Sequence, residues 1–487
     1  MNKNLLKIRY LIHMIPACIL FVIFSINIPV CAVAKQLLKD KDKVEFENEM
    51  SWQVGIGRRV ITPKTAVWLA GWGKKRVPEG KIHDIWVKVL ALKAANGKQV
   101  VMATTDHMGM SKTIYERLYT KINQRFGLNR SEFMITFSHN HSGPCLQDDL
   151  VDYYPSDDTQ RKLVQEYSEW MEEKIVEAID DALNSMQPAR LYMGKGECSF
   201  AVNRRDNIEA EVPKLIAEGK PLRGVVDHYV PVLVAKSENG SLLGLLFGYA
   251  CHPTTIDTTS WNGDYPGYAQ INLESRYPGT TAMFFNTCGG DQNPIPRKKF
   301  ELCEKYGKML SDAVENVVEK PMQEISPGLR TAFKFVNLRY DEMVTREKLL
   351  PISKGEESIQ TRWAGRMLKL MDDGVKFPDS YPYPVQAWQI GELLLIGIGG
   401  EAVVDYSLRL KREYPGTTWV SGYTNDMVAY IPSRRVWEEG GYEGGSHLDE
   451  YGRPAWRWAG DIEDRIIKTV HKVVRQVQKN KTSKRFW

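Results

Sequence analysis

The chain of 487 residues has 43% hydrophobic and 26% charged side chains, an ordinary globular balance with length enough for a large core. Its formal net charge is +5, of which Lys3, Lys7 and Arg9 supply three; without them +2 remains, which excludes a nucleic-acid partner of the usual basic kind. Beyond Cys18 and Cys31, the cysteines are Cys145, Cys198, Cys251, Cys288 and Cys303. That odd, widely spaced set is neither a disulfide framework nor a Cys-x-x-Cys zinc site.

Lys3, Lys7 and Arg9 precede a nearly unbroken apolar run over residues 11–30, and Ala32-Val33-Ala34 follows. This order predicts a secretory signal at 1–34, cleaved after Ala34, and an exported product that is periplasmic or secreted. The competing expectation is an uncleaved membrane anchor, because the run approaches the roughly 20 residues that span a bilayer. Pro29 and Val30 are too bulky for a lipoprotein site at Cys31. Residues 35–50 are charged and poor in aromatics and read as a flexible tether. Residues 51–487 contain no repeat and no long linker, and read as a single domain.

Within that domain, Asn96-Gly97 predicts a hairpin between residues 85–94 and 99–105, and Asn239-Gly240 predicts another between 230–236 and 242–250. Residues 163–183 repeat apolar side chains at three and four, which predicts a helix packed on the core, and 300–318 and 462–477 also read as helices. The fold class is therefore mixed α and β (α+β), with two packed mixed sheets flanked by helices, since most strand pairs are joined by hairpins. The basic finish at Lys479, Lys481, Lys484 and Arg485 reads as a solvated helix end and tail.

Three strand-like runs stop at a residue able to bind a metal. Residues 133–137 lead into Ser138-His139-Asn140-His141-Ser142-Gly143-Pro144, residues 242–250 into Cys251-His252-Pro253-Thr254, and residues 393–400 into Glu401. Two imidazoles and a carboxylate at strand ends are the donor set of a catalytic zinc, which takes about three protein ligands and leaves one position open. His-x-His alone equally fits histidines that hydrogen-bond within a loop. Gly143-Pro144 strengthens the metal reading, because a forced turn holds both rings at the sheet's mouth. Asp106-His107, Asn203-Arg204-Arg205, the Gly263-Asp264 turn, the Gly289-Gly290-Asp291 turn and residues 425–430 also collect polar side chains. Taken singly, each reads as a turn former, helix cap, surface charge or core residue.

Taken together, these segments resemble the neutral (non-lysosomal) ceramidases. The resemblance runs in order through Gly55-Ile56-Gly57-Arg58, Ile61-Thr62-Pro63, Ile82-His83-Asp84, residues 138–144, Asn203-Arg204, residues 263–268, Gly289-Gly290-Asp291 and Gly400-Glu401. It implies one catalytic zinc held by His139, His252, Glu401 and Tyr430, with His141, Arg204 and Tyr442 lining the reacting carbonyl. Zinc polarises an amide carbonyl and lowers the pKa of its water from about 16 to about 7. Asp106, Asp264 or Asp291 is expected to orient a ligand imidazole.

Two departures follow from the same comparison. The family serine of Gly-Asp-x-Ser-Pro is Asn293 here, in Gly290-Asp291-Gln292-Asn293-Pro294, so no hydroxyl nucleophile is available at that position. Water is then the nucleophile, with Asp291 or a histidine as base, or the ceramide reaction is lost. The family's additional β-rich C-terminal domain has no counterpart after residues 462–477, which lowers the expectation of membrane-lipid access.

The segment 419–458 is rich in aromatics, including Tyr423, Trp437, Tyr442, Tyr451, Trp456 and Trp458. These rings serve a sugar, an acyl chain or simple loop anchoring. The expectation is a zinc-dependent amidohydrolase acting on an N-acyl bond, with a ceramide-type lipid as default substrate. The alternatives are a deacylase or esterase of carbohydrate or other small substrates, or a catalytically silent binding relative. Peripheral membrane association fits the lipid reading, and no protein partner is implied.

Overall fold

A computed structural model describes residues 51–478. The expected leader, tether and basic tail lie outside the described residues. Among the described residues, no helix is long and apolar enough to cross a membrane. Cys145, Cys198, Cys251, Cys288 and Cys303 are free and buried.

Two sheets carry the fold. Among the described residues, nine strands form the larger one, which runs from Thr281–Asn286 through Leu242–Tyr249, Tyr229–Ser237, Gln187–Glu197, Trp52–Val60, Trp86–Lys93 and Gln99–Thr105 to Phe133–Phe137, with Gln323–Ile325 beside Gln187–Glu197. The smaller sheet orders Thr418–Ser421, Leu393–Ile398, Ser380–Ile390, Leu329–Met343 and Ala455–Trp458. Their inner faces share one apolar layer, in which Trp52, Leu92, Met102 and Phe285 meet Trp388, Leu395 and Trp419. Helices Lys112–Phe126 and Asp158–Asn184 cover the outer face of the larger sheet near its Trp52–Val60 side. Asp264–Arg276 and Phe300–Val318 cover it near Leu242–Tyr249. Val404–Glu413 and Ile462–Gln478 cover the smaller sheet. This is the expected arrangement of two mixed sheets flanked by helices.

Both expected hairpins form, with Val87 opposite Thr105 in the first and Val232 opposite Phe247 in the second. Three connections instead cross over through a helix and make parallel pairs. They join Gln99–Thr105 to Phe133–Phe137, Leu242–Tyr249 to Thr281–Asn286, and Leu393–Ile398 to Thr418–Ser421. Parallel neighbours end on the same side, so within each pair the two following loops lie side by side. Asn425 N–H donates to Ile135 O at 2.8 Å and Phe137 N–H to Tyr423 O at 3.1 Å, which ties these ends of the two sheets to each other.

Helix Asp158–Asn184 can lie this close to strand Trp52–Val60 only because the strand lacks side chains where they meet. A Cβ built on Gly57 would fall 1.9 Å from the Ala178 carbonyl oxygen. Gly57→Ala must push the helix off the sheet, and overpacking of this kind costs about 3 kcal/mol or more where backbone cannot yield. Urea unfolding should show the loss as a lower midpoint with an unchanged slope.

Candidate functional site

His139 follows strand Phe133–Phe137 with φ +64, a conformation that non-glycine residues adopt at some energetic expense and that clusters at functional sites. His139 N–H donates to His107 O at 3.0 Å and the imidazole Nδ1–H to Met108 O at 2.7 Å. His252, beyond strand Leu242–Tyr249, donates from Nδ1 to Gly289 O at 2.8 Å. Asn286 clamps both loops, its amide donating to Ser138 O at 3.1 Å and Cys251 O at 3.3 Å. Glu401 pairs in register with Tyr430 in a short parallel ladder. Gly400 before it has φ +65, and a Cβ there would sit 2.6 Å from Ala429 O.

These supports bring the expected residues to one point. Glu401 Oε2 lies 2.9 Å from His252 Nε2 and 3.1 Å from His139 Nε2. Tyr430 OH lies 3.3 Å from His252 Nε2, and His141 Nε2 lies 3.2 Å from His139 Nε2. His139, His252, Glu401 and Tyr430 are all buried, while His141 is half-buried. Each of His139 and His252 has its Nδ1 engaged with a carbonyl, so in the neutral ring Nε2 presents a lone pair to the carboxylate. Lone pairs and an anionic oxygen converging at hydrogen-bond distance repel unless a proton or a metal cation lies among them. His139, His141 and His252 have ligand atoms within 4.8 Å of one another. This donor set fits a divalent ion, and imidazole with carboxylate suits zinc among such ions.

The electrostatics are consistent with that fit. Burial raises the Glu401 carboxyl, but its neighbours His139 and His252 outweigh it and hold the group well below the usual carboxylate range, as positive charge at this point does. Burial lowers His252 to about 4, with the Arg204 charge acting in the same direction. Burial also lowers His141 well below its ordinary value. Both shifts favour the neutral imidazole that metal binding requires.

The nitrogens that hold the imidazoles in place face Met108 O and Gly289 O, and this corrects the expectation of a carboxylate partner. Asp106 accepts from Trp86 N at 2.9 Å and Gln270 Nε2 at 3.3 Å. Asp264 caps Thr255 N at 2.9 Å and Ile256 N at 3.1 Å. Asp291, fully buried and raised by that burial to about 6, accepts from Val404 N at 2.9 Å. It ties its turn to the helix that follows Glu401. The three aspartates hold backbone because buried N–H groups near the site need acceptors.

Arg204 links the oxygens of the site. Its Nη2 donates to Tyr430 OH at 3.0 Å, Nη1 to Asn293 Oδ1 at 3.2 Å, and Nε to Glu443 Oε1 at 2.6 Å. Burial works against the guanidinium, yet Tyr430 and Glu443 outweigh it and keep it charged. Tyr442 packs its ring 5.1 Å from that of Tyr430, but its hydroxyl donates to Glu450 Oε2 at 2.8 Å.

Other side chains join the site, and of these only Arg76 had no signal in the sequence. Tyr451 OH hydrogen-bonds Glu401 Oε1, Tyr423 lays its ring 4.8 Å from that of His139, and Arg76 Nη2 donates to His141 O at 2.5 Å. Of the aromatic segment, Tyr423, Tyr442 and Tyr451 meet the site. Trp458 stacks on Tyr340 and Trp456 packs on Trp363, as loop and core anchors.

The sequence model of the neutral/alkaline non-lysosomal ceramidases, N-terminal region, matches residues 52–309, more than half of the chain. The chain belongs to this family. It is 22% identical over 479 residues to the neutral ceramidase of Pseudomonas aeruginosa, covering 82% of this chain and 70% of that protein. It is 23% identical over 275 residues to neutral ceramidase A of Dictyostelium discoideum, covering 53% of this chain and 38% of that one. The neutral ceramidase of Mycobacterium tuberculosis is 23% identical over 350 residues, with 56% and 54% covered. The crystal structure of the P. aeruginosa enzyme shares the fold of this family member, with a TM-score of 0.66 at 19% identity over 87% of this chain and 75% of that one.

The segment that carries the His139 loop is itself acid-sensitive. His107 is fully buried and faces Tyr167 OH at 2.9 Å, and burial alone lowers it to about 3. Between pH 6.5 and about 3 the unfolded chain takes up a proton that native His107 excludes, so this contribution to stability is whole above the window and lost as pH falls through it. The loss from pH 7 to pH 5 is about 2 kcal/mol from this group. Denaturant unfolding at the two pH values should show that difference shrink in His107→Gln.

Proposed function

We propose that this protein is an exported, zinc-dependent amidohydrolase that cleaves an N-acyl bond, with His139, His252, Glu401 and Tyr430 as the zinc ligands. The observation that carries the proposal is the placement of Glu401 Oε2 at 2.9 and 3.1 Å from two imidazole nitrogens whose partner nitrogens are engaged elsewhere. The family and its named relatives make a ceramide-type amide the default substrate class. The bound ion would supply the Lewis acidity and water activation described above.

The protein's own groups then have distinct parts. Arg204, charged and fixed by Glu443, faces the oxygen of Tyr430 and supplies the positive field that an oxyanion needs. His141, neutral and half-buried beside His139, is placed to accept a proton from the attacking water and return it to the leaving amine. Tyr442 lines the entrance and bonds Glu450. Asp291 is occupied with Val404 N, which leaves the base role to His141.

Asn293 acts on this reading as a positioning residue through its contact with Arg204. Asn293→Ala should lower kcat/KM about tenfold, the worth of one hydrogen bond to a charged group. A loss of a thousandfold would instead put Asn293 in the chemistry. To test the function itself, the purified protein is incubated with short-chain fluorescent ceramide and with N-acetylated amines, before and after chelation and zinc readdition. Amide hydrolysis that chelator removes and zinc restores is expected. No amide turnover by the zinc-loaded protein would contradict the proposal.

A further inference from the structure

A cleft of about 480 Å³ opens beside the candidate metal centre, with Lys75, Tyr153, Gln360, His447, Asp449 and Glu450 in its wall. A larger one of about 1210 Å³ lies between Gln187–Glu197 and Phe300–Val318, and no candidate site residue lines either cleft directly. The smaller cleft is tied to the site through one loop. Glu450 accepts from Tyr442 OH at 2.8 Å, and the next residue, Tyr451, bonds Glu401. On the facing wall Gly73 follows Trp72, whose ring lies 5.9 Å from that of His141.

The wall is strongly polar. Asp449 is only 4% exposed, and its Oδ2 has no hydrogen-bond partner among the described residues. A buried carboxylate oxygen without a donor is costly in the free protein, and a ligand donor relieves it. Burial raises the Asp449 carboxyl, which His447 and Gln360 offset in part. Arg362 is committed to Asp152 O, Tyr153 O and Glu357. Lys75 is left against Asp449 and Glu450, with its Nζ 4.4 Å from the Trp68 ring centroid. The wall thus sets the carboxyls of Asp449 and Glu450 beside the donors Lys75, Gln360 and His447, a mixture that hydroxyl groups, which both donate and accept, can satisfy. Aliphatic side chains in the wall are limited to Pro155 and Ile359, too little to sheathe a long alkyl chain.

We propose that this cleft is the amine-side subsite and that it takes a polyhydroxylated amine, an amino sugar or an amino polyol, where a ceramide would present its long-chain base. The inference rests on the hydrolase reading for its place in the reaction. Hydroxyls and an ammonium would donate to Asp449 and Glu450, and the Tyr153 ring offers a flat face for a sugar ring or a carbon backbone.

Titration calorimetry with glucosamine, glucamine and octylamine, run beside hydrolysis of their N-acetyl derivatives and of short-chain ceramide, tests it. Binding of glucosamine (a ring) or glucamine (an open polyol) but not octylamine is expected. Asp449→Asn and, separately, Gln360→Leu should each weaken that binding about tenfold or more; should one variant fail to fold, the other carries the comparison. Equal binding of octylamine, no binding of either hydroxylated amine, unchanged affinity in the folded variants, or a kcat/KM favouring ceramide would overturn the subsite. Amine binding requires no turnover, so a protein that binds glucosamine yet hydrolyses no amide sinks the hydrolase reading alone. One that hydrolyses ceramide and ignores hydroxylated amines sinks this inference alone.

Discussion

Glu401→Gln should leave the protein folded and remove both its metal and its amidase activity. The amide keeps the shape of the side chain, so the ladder with Tyr430 and the packing of the strand end persist. What goes is the negative charge that the two imidazoles face and that the proposed cation would share. Loss of a partner one step removed from a metal typically lowers affinity or activity 10- to 100-fold, so loss of a ligand is expected to exceed about a hundredfold. Metal content and kcat/KM measured on the same preparation check it. Retention of metal with loss of activity would recast Glu401 as an acid or base rather than a ligand.

Arg204 should have the second largest effect. Its three donors are fixed in a fork between Tyr430, Asn293 and Glu443, an arrangement that lysine, with a single ammonium, cannot copy. Arg204→Lys and Arg204→Ala should each lower kcat on the order of a hundredfold, the typical loss of one donor to a developing oxyanion. An interaction made only in the transition state lowers kcat and kcat/KM together and leaves KM nearly unchanged. A rise in KM at constant kcat would assign Arg204 to substrate binding instead.

The proposed ligands differ in how much of their role was legible beforehand. His139, His252 and Glu401 each end an apolar run, and a strand that stops at a ligating residue is a local signal. Tyr430 sits in a stretch with no such pattern, and only the family resemblance pointed to it. The hairpins announced themselves through Asn-Gly turns, whereas the three helical crossovers did not, because parallel pairing is set by tertiary packing. Each crossover sets two of the site's loops side by side.

The supports of the site were the least legible. Met108 and Gly289 orient the imidazoles with backbone carbonyls, which every residue possesses, so no residue type marks them. Asn286 bridges Ser138 and Cys251 across 148 and 35 positions of sequence, a relation no local window contains. Asp106, Asp264 and Asp291 looked like outer partners of the metal because aspartate is the usual choice. They hold backbone N–H groups instead.

Elemental analysis of the purified wild-type protein and of His139→Ala tests the central claim most directly. The account predicts about one zinc per wild-type chain and almost none in the variant. Wild-type protein that remains metal-free after exposure to zinc, or His139→Ala protein that keeps a full equivalent, would contradict it.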